Sequence, residues 1–390
     1  MSYPLFLRRV RPSRIAAWTA VAVCGCSSAD APDNPLSPSP GGPDGQTAQY
    51  APQIRNYYVA AEPVDWSYAP TGYDSVYARP VPSPWGDSLV YSKLRYIQYT
   101  DASFTRRVAQ PNWLGILGPM IRGVVGDSIR VTFLNRTDRP LTIHPHGVSY
   151  LPEDEGAQYN PPRGGGDGVL PGQRYTYRWF ASPEAGPLPG EPSSKVWLYH
   201  SHVMDSDEIL RGLVGTIVIT DAAKANQNGT PKDVDREFVT LWLVWNENTL
   251  EDPPDDVFET NLKHAINGRF FGNLQGYEMN LNDRVRWYLV ALGTEIDMHT
   301  PHWHGNRVKL EGRTYTDVVE LGPASMHVAD MVASQAGRWL LHCHVADHFD
   351  AGMFTLYTVR GTLASSYLAD PTSALTASFK EADSWYGLGR

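Results

Sequence analysis

Four times in 390 residues two histidines stand one residue apart: His144/His146, His200/His202, His302/His304 and His342/His344. The chain has twelve histidines, and chance placement would give roughly 0.4 such pairs when matches are counted. The last pair lies in WLLHCHVADHFDAGM, residues 339–353. If its apolar run Leu340 to Val345 is a strand, alternation puts His342 and His344 on one face and Cys343 on the other. Cys343, His348 and Met353 follow the spacing C-x4-H-x4-M, a loop length that can wrap back around one ion. A thiolate with two imidazoles, and a thioether held further off, is the ligand set of a blue-copper electron-transfer site. The flanking histidines face a different metal centre, so a single turn of backbone joins the two. A lone histidine beside a turn is ordinary core. Ten of twelve gathered into four clusters are not, once His299 and His348 are added to the last two. Only His264 and His327 stand apart, and His327 reads as structural.

The cysteine count supports a ligand role. Of three cysteines, Cys24 and Cys26 belong to the N-terminal segment, so the folded part keeps Cys343 alone and no disulfide framework is open to it. Residues 1–26 read as a secretory signal, with a basic stretch followed by IAAWTAVAVCGC, too short to span a bilayer. Gly25 before Cys26 and Ser27-Ser28 after it resemble a bacterial lipoprotein cleavage site. Export, a lipid anchor at Cys26 and a periplasmic or cell-surface location are therefore expected. Residues 27–50, rich in Pro and Gly without apolar period, read as a disordered linker. The formal charge of -9 courts neither nucleic acid nor an anionic membrane surface, and losing the four signal arginines deepens it.

Short runs rich in β-formers recur between turn residues: SIRVTFLN (128–135), RYTYRWF (174–180), LVGTIVIT (213–220), REFVTLWLVW (236–245), RVRWYLVAL (284–292) and FTLYTVRG (354–361). Helical periodicity is nearly absent. An all-β chain of two Greek-key β-sandwich domains follows, 51–222 and 223–362, with no role evident for the tail 363–390. GPMIRGVVGDSIRVTFLN ahead of the first His pair matches LQGYEMNLNDRVRWYLVAL ahead of the third, a weak repeat at domain scale. Eight paired imidazoles beside a separate thiolate site favour copper over zinc, since a zinc hydrolase needs about three protein ligands and an open position.

The order H-x-H-G, H-x-H, H-x-x-H-x-H, H-C-H-x3-H-x4-M resembles the multicopper oxidases. The segments LRYIQYTDASF, LGPMIRG, HPHGVSY, EGAQY, YHSHV, HAINGRFFGNLQGY and HTPHWHG look like their ceruloplasmin–hephaestin branch, over about residues 54 to 360. The resemblance implies cupredoxin-like domains and four coppers per chain: one type 1, one type 2 and two type 3. By motif position, His144 and His302 would bind type 2 copper. His146, His200, His202, His304, His342 and His344 would bind the type 3 pair, and His299, Cys343, His348 and Met353 the type 1 copper. The implied reaction draws electrons from a substrate at type 1 copper and reduces O2 to water at the cluster of the other three.

There are departures. The six domains of ceruloplasmin are two here, Ser201 stands where a copper-bearing domain has cysteine, and only Asp167 remains of a calcium-site pair. A two-domain chain can recreate the first-to-last domain contact by closing a homotrimer with intersubunit clusters. The branch binds ferrous iron with a glutamate, a histidine five residues on, and an aspartate before the type 1 histidine. Glu259, His264 and Asp347 stand at those places, which implies ferroxidase activity. A small laccase acting on phenols or small aromatic reductants, and a copper-binding protein without oxidase activity, are the alternative readings.

Overall fold

The structure, a computed structural model, describes residues 50–248, 254–293 and 297–362. The signal with Cys24 and Cys26, nearly all of the linker and the tail 363–390 lie outside the described residues. Tyr50, at the linker's end, is buried, and its hydroxyl donates to Asp127 at 2.8 Å.

The regular secondary structure of the described chain is almost all strand. Its α-helices are three short ones, Asp205–Leu210, Asp255–Thr260 and Ala346–Asp350. Strands Ser128–Asn135 and Arg174–Phe180 fall where the sequence places them, and in the first Ile129, Val131 and Phe133 are buried. The run 213–220 forms strand Val214–Thr220, buried along its whole length. The reason is that both of its faces are covered. Ile217 and Ile219 join the core inside the first half, while Val214 and Val218 face the second half. Strand Arg236–Asn246 is its counterpart: Phe238 and Trp242 face inward, and Val239, Leu241, Leu243 and Trp245 face the first half.

The ladders repeat. In the first half, Ile54–Ser67 runs parallel to Ser128–Asn135, and Ile121–Val124 parallel to Val214–Thr220. In the second, Arg236–Asn246 runs parallel to Arg284–Ala291, and Glu278–Asn280 parallel to Phe354–Arg360. Each half thus pairs a larger sheet with a four-stranded one. Between them lies a third apolar core to which both halves contribute, sealed by a buried polar network. Arg286 pairs with Asp330 at 2.7 Å and donates across to Ser193 and Ser194, both at 2.8 Å. With each guanidinium nitrogen partnered, that buried charge is held rather than merely tolerated.

Candidate metal centres

Each four-stranded sheet ends in the same device. His144 lies opposite His200, and His302 opposite His342, on paired strands. The backbone N–H of His146 donates to Leu198 and that of His304 to Leu340, so each second histidine is pinned to the same neighbour strand. The chain then turns at Gly147 and Gly305, with φ of +73° and +75°. A Cβ at either glycine would lie 2.0 Å from the Trp197 ring or 2.5 Å from the Trp339 ring, so the H-x-H-G motif needs glycine twice over.

Two histidine quartets result. His144 has His146, His200 and His202 within 5.0–5.5 Å of its ring centre; His302 has His304, His342 and His344 within 4.9–5.5 Å. Backbone carbonyls fix the tautomers. Nδ1 of His144 donates to Glu155 and Nδ1 of His302 to Asp317, each at 2.8 Å, and Nδ1 of His342 donates to Cys343 at 2.7 Å. The Nε2 atoms are left to face one another, 3.0 Å apart between His146 and His200 and 3.1 Å between His304 and His342. Burial, reinforced by its histidine neighbours, pushes His342 down to about 4, and burial lowers His144 and His304 too. These imidazoles are neutral at physiological pH, with lone pairs available to a metal. Triplets from the two quartets form separate ligand groupings, and among the described residues none spans both. His304 and His344 are exposed.

The third grouping is His299, Cys343 and His348, their ligand atoms within 4.8 Å of one another and all buried. The strand carrying Cys343 is Gly337–Cys343, so it ends sooner than Val345, where the sequence reading placed its end. Helix Ala346–Asp350 fills the loop in its place and turns His348 back to the sulfur, Nδ1 to Sγ 3.6 Å. His342 and His344 still share a face, their rings 5.4 Å apart, with Cys343 buried on the other side beside Met353. Two backbone bonds hold Met353 in place: its N–H donates to His348 at 2.9 Å and its carbonyl accepts from Cys343 at 3.0 Å. His299 is completely buried and neither of its ring nitrogens has a hydrogen bond. Such orphaned groups are costly, and a cation between His299, Cys343 and His348 removes the cost. Burial raises the Cys343 thiol while the Thr300 N–H, 3.3 Å from Sγ, opposes that. A bound cation would hold it as thiolate. The donor set fits copper.

Thr300 was not singled out from sequence, nor was Thr142, its counterpart, whose N–H meets Ser201 at 3.0 Å. Their signal was present: both stand two residues before a histidine pair. The superimposed pattern puts Leu141 where His299 stands and Ser201 where Cys343 stands, so the first half lacks a thiolate site altogether.

Of the three residues read as iron ligands, His264 is buried against His348, rings 5.0 Å apart, with Nδ1 unpartnered. Burial pushes it down to about 3, with His348 adding to the shift. Asp347 is exposed, one residue before His348. Glu259 accepts a hydrogen bond from the indole of Trp85 at 3.1 Å. The three do not form a close ligand grouping among the described residues. His327 pairs with Glu311 at 3.1 Å, and Asp167 accepts from the backbone of Arg163 and Gly164.

The multicopper oxidase family pattern matches residues 96–224 and, separately, 244–362. Human hephaestin is 36% identical over 361 residues, spanning 84% of this chain and 31% of its own length. The human protein named ferroxidase HEPHL1 is 36% identical over 341 residues, 78% of this chain and 29% of its own. Human ceruloplasmin is 35% identical over 338 residues, 78% of this chain and 30% of its own. The chain thus spans less than a third of the length of these curated relatives. Two solved multicopper oxidases, one of them mgLAC, match with TM-score 0.55 at 19% identity. The first match covers 79% of this chain and 89% of the other, and mgLAC's covers 84% and 95%. At that identity the likeness speaks to fold: the sandwiches are cupredoxin-like.

Proposed function

This chain belongs to the multicopper oxidase family, and from that premise we propose that it is an oxidase of ferroxidase type. It would carry single electrons from Fe(II) to O2, four Fe(II) and four protons being consumed for each O2 reduced to two waters. The observation that carries the reading is the His299–Cys343–His348 grouping, one residue of backbone from a histidine quartet. His299, Cys343, His348 and Met353 would hold type 1 copper. His144 and His302 would hold type 2, and His146, His200, His202, His304, His342 and His344 the type 3 pair. Bound copper supplies one-electron redox chemistry that no side chain offers.

The chain's own residues place and insulate that chemistry. The Glu155, Asp317 and Cys343 carbonyls hold imidazoles in one tautomer, and the Thr300 N–H steadies the Cys343 sulfur. Cys343 is bonded through the chain to both His342 and His344, a short covalent route for an electron. Completing a cluster takes a quartet of each kind, and homotrimer formation between neighbouring chains would supply it. Export and a lipid anchor at Cys26 belong to the same reading.

Iron is favoured as reductant because two hard carboxylates, Glu259 five residues before His264 and Asp347 one residue before His348, accompany the buried His264 ring that lies against His348. The test is Glu259→Ala combined with His264→Ala. Fe(II) oxidation should fall on the order of 100-fold in kcat/KM, as loss of ~3 kcal/mol of transition-state stabilisation requires. Colour, copper content and oxidation of a small aromatic amine should hold. Equal loss on both substrates would make these residues supports of the copper site. No loss on either would favour a laccase acting on phenols.

A further inference from the structure

Away from the histidines, a cavity of about 260 Å³ opens beside Trp66 and is lined by Arg95, Arg107, Gln110 and Arg269, with no acidic residue in its wall. In a chain of net charge -9 that concentration of guanidinium groups needs a cause. Arg107 has one, its partner Glu62. Arg95 and Arg269 have no carboxylate partner among the described residues. Arg95 bonds instead to Gln110 Oε1 at 2.5 Å and to the Gly115 carbonyl at 2.7 Å. Arg269 lies over the Trp66 ring, its Cζ 3.8 Å from the centre, and its buried Nη1 has no acceptor. Burial and the nearby Arg95 charge push its guanidinium down to about 10. Gln110 adds a second orphan. Its Oε1 is fixed by Arg95, which fixes the amide orientation, and the buried Nε2 is left without an acceptor.

Two unpaired buried donors and two guanidinium groups without counter-charge, all on residues that line one cavity, need acceptor oxygens and negative charge. We propose that Arg95, Gln110 and Arg269 form a binding site for a small oxyanion, phosphate or carboxylate, at the seam between the two halves. Arg95 and Gln110 come from the first half and Arg269 from the second, so the anion ties them together. The cavity admits a free ion, and a carboxylate side chain of a second copy in an oligomer offers the same chemistry.

The test titrates copper-loaded full-length protein with inorganic phosphate and with citrate at constant ionic strength, by calorimetry, with light scattering alongside. For a free ion, binding saturates and Arg269→Gln weakens it roughly tenfold or more, the loss of one charge-assisted pair of hydrogen bonds. If a second copy supplies the carboxylate, wild type binds neither ion and Arg269→Gln dissociates the oligomer. Should Arg269→Gln fail to fold, Gln110→Glu decides. It places a carboxylate among the arginines, so it should raise Tm and abolish anion binding. A lowered Tm with Gln110→Glu would overturn the proposal. So would Arg269→Gln binding phosphate as wild type does, or wild type showing neither saturable binding nor a link between Arg269 and assembly.

Discussion

The division of labour between the two halves comes down to single positions. Cys343 ends its strand and Ser201 directly follows its own, each between the two histidines of a pair and each meeting the backbone N–H of a threonine, Thr300 or Thr142. Only the sulfur can supply a thiolate. Cys343→Ser should therefore abolish the blue colour and remove one copper per chain while the quartets keep theirs, as metal analysis and absorption would record. A blue Cys343→Ser protein would end the assignment. The reverse change is expected to do nothing visible, because Ser201→Cys gains a thiol beside Leu141, where the second half has His299. At this scale the sequence was most readable. Histidine and cysteine are rare, so their spacing stands out against chance. Thr300 and Trp85 went unread because neither type is unusual on a strand or loop, and what matters is the atom each one faces.

Elements were legible where one face meets the core and the other meets something equally apolar, as along Val214–Thr220. The sequence carries the strand of Cys343 two residues too far because His344 and Val345 continue its alternation, whereas the chain turns into helix Ala346–Asp350, which brings His348 to the sulfur. Least legible was the segment from Tyr68 to Leu89, which leaves the first half and crosses the second. Its partners are distant in sequence: Ser75 N–H donates to the Phe271 carbonyl at 2.9 Å, Tyr77 meets Phe354, and Trp85 reaches Glu259, 174 residues on. Lys263 fastens it. Its buried ammonium donates to the carbonyls of Trp85 and Ser88 in that segment, at 2.9 and 2.7 Å, and to Thr260 at 2.5 Å. Lys263→Met would leave three carbonyls without this donor and should destabilise the protein by about 3 kcal/mol, read from denaturant unfolding. Trp85→Phe is milder. It removes the hydrogen bond to Glu259 and keeps an aromatic ring to pack against Phe271, so KM for Fe(II) should rise severalfold while Tm, colour and aromatic-amine oxidation change little. If Tm falls and both substrates suffer alike, the indole is packing rather than positioning.

For the whole molecule, the decisive geometry is that each half carries one quartet and the ligand groupings keep them separate. His304 and His344 stand exposed at the second-half site, where a buried cluster would be expected in a finished enzyme. A neighbouring chain that set its first-half quartet there would cover them and, by the same operation repeated, close a ring with no free site left over. Light scattering should then report a trimer. Mass alone does not locate the clusters, but mixing chains does. Take one chain with His144→Ala and His146→Ala, and another with His302→Ala and His304→Ala. Neither alone can build an intact cluster, whichever way the quartets meet. If clusters lie between chains, co-expressed mixtures contain junctions pairing the intact first half of one with the intact second half of the other. Random assembly makes these about a quarter of all junctions, and oxidase activity should return to about that share of wild type. If each chain instead folds its own two quartets together, the mixture stays inactive, and the trimer proposal fails even if the particle proves to be three chains.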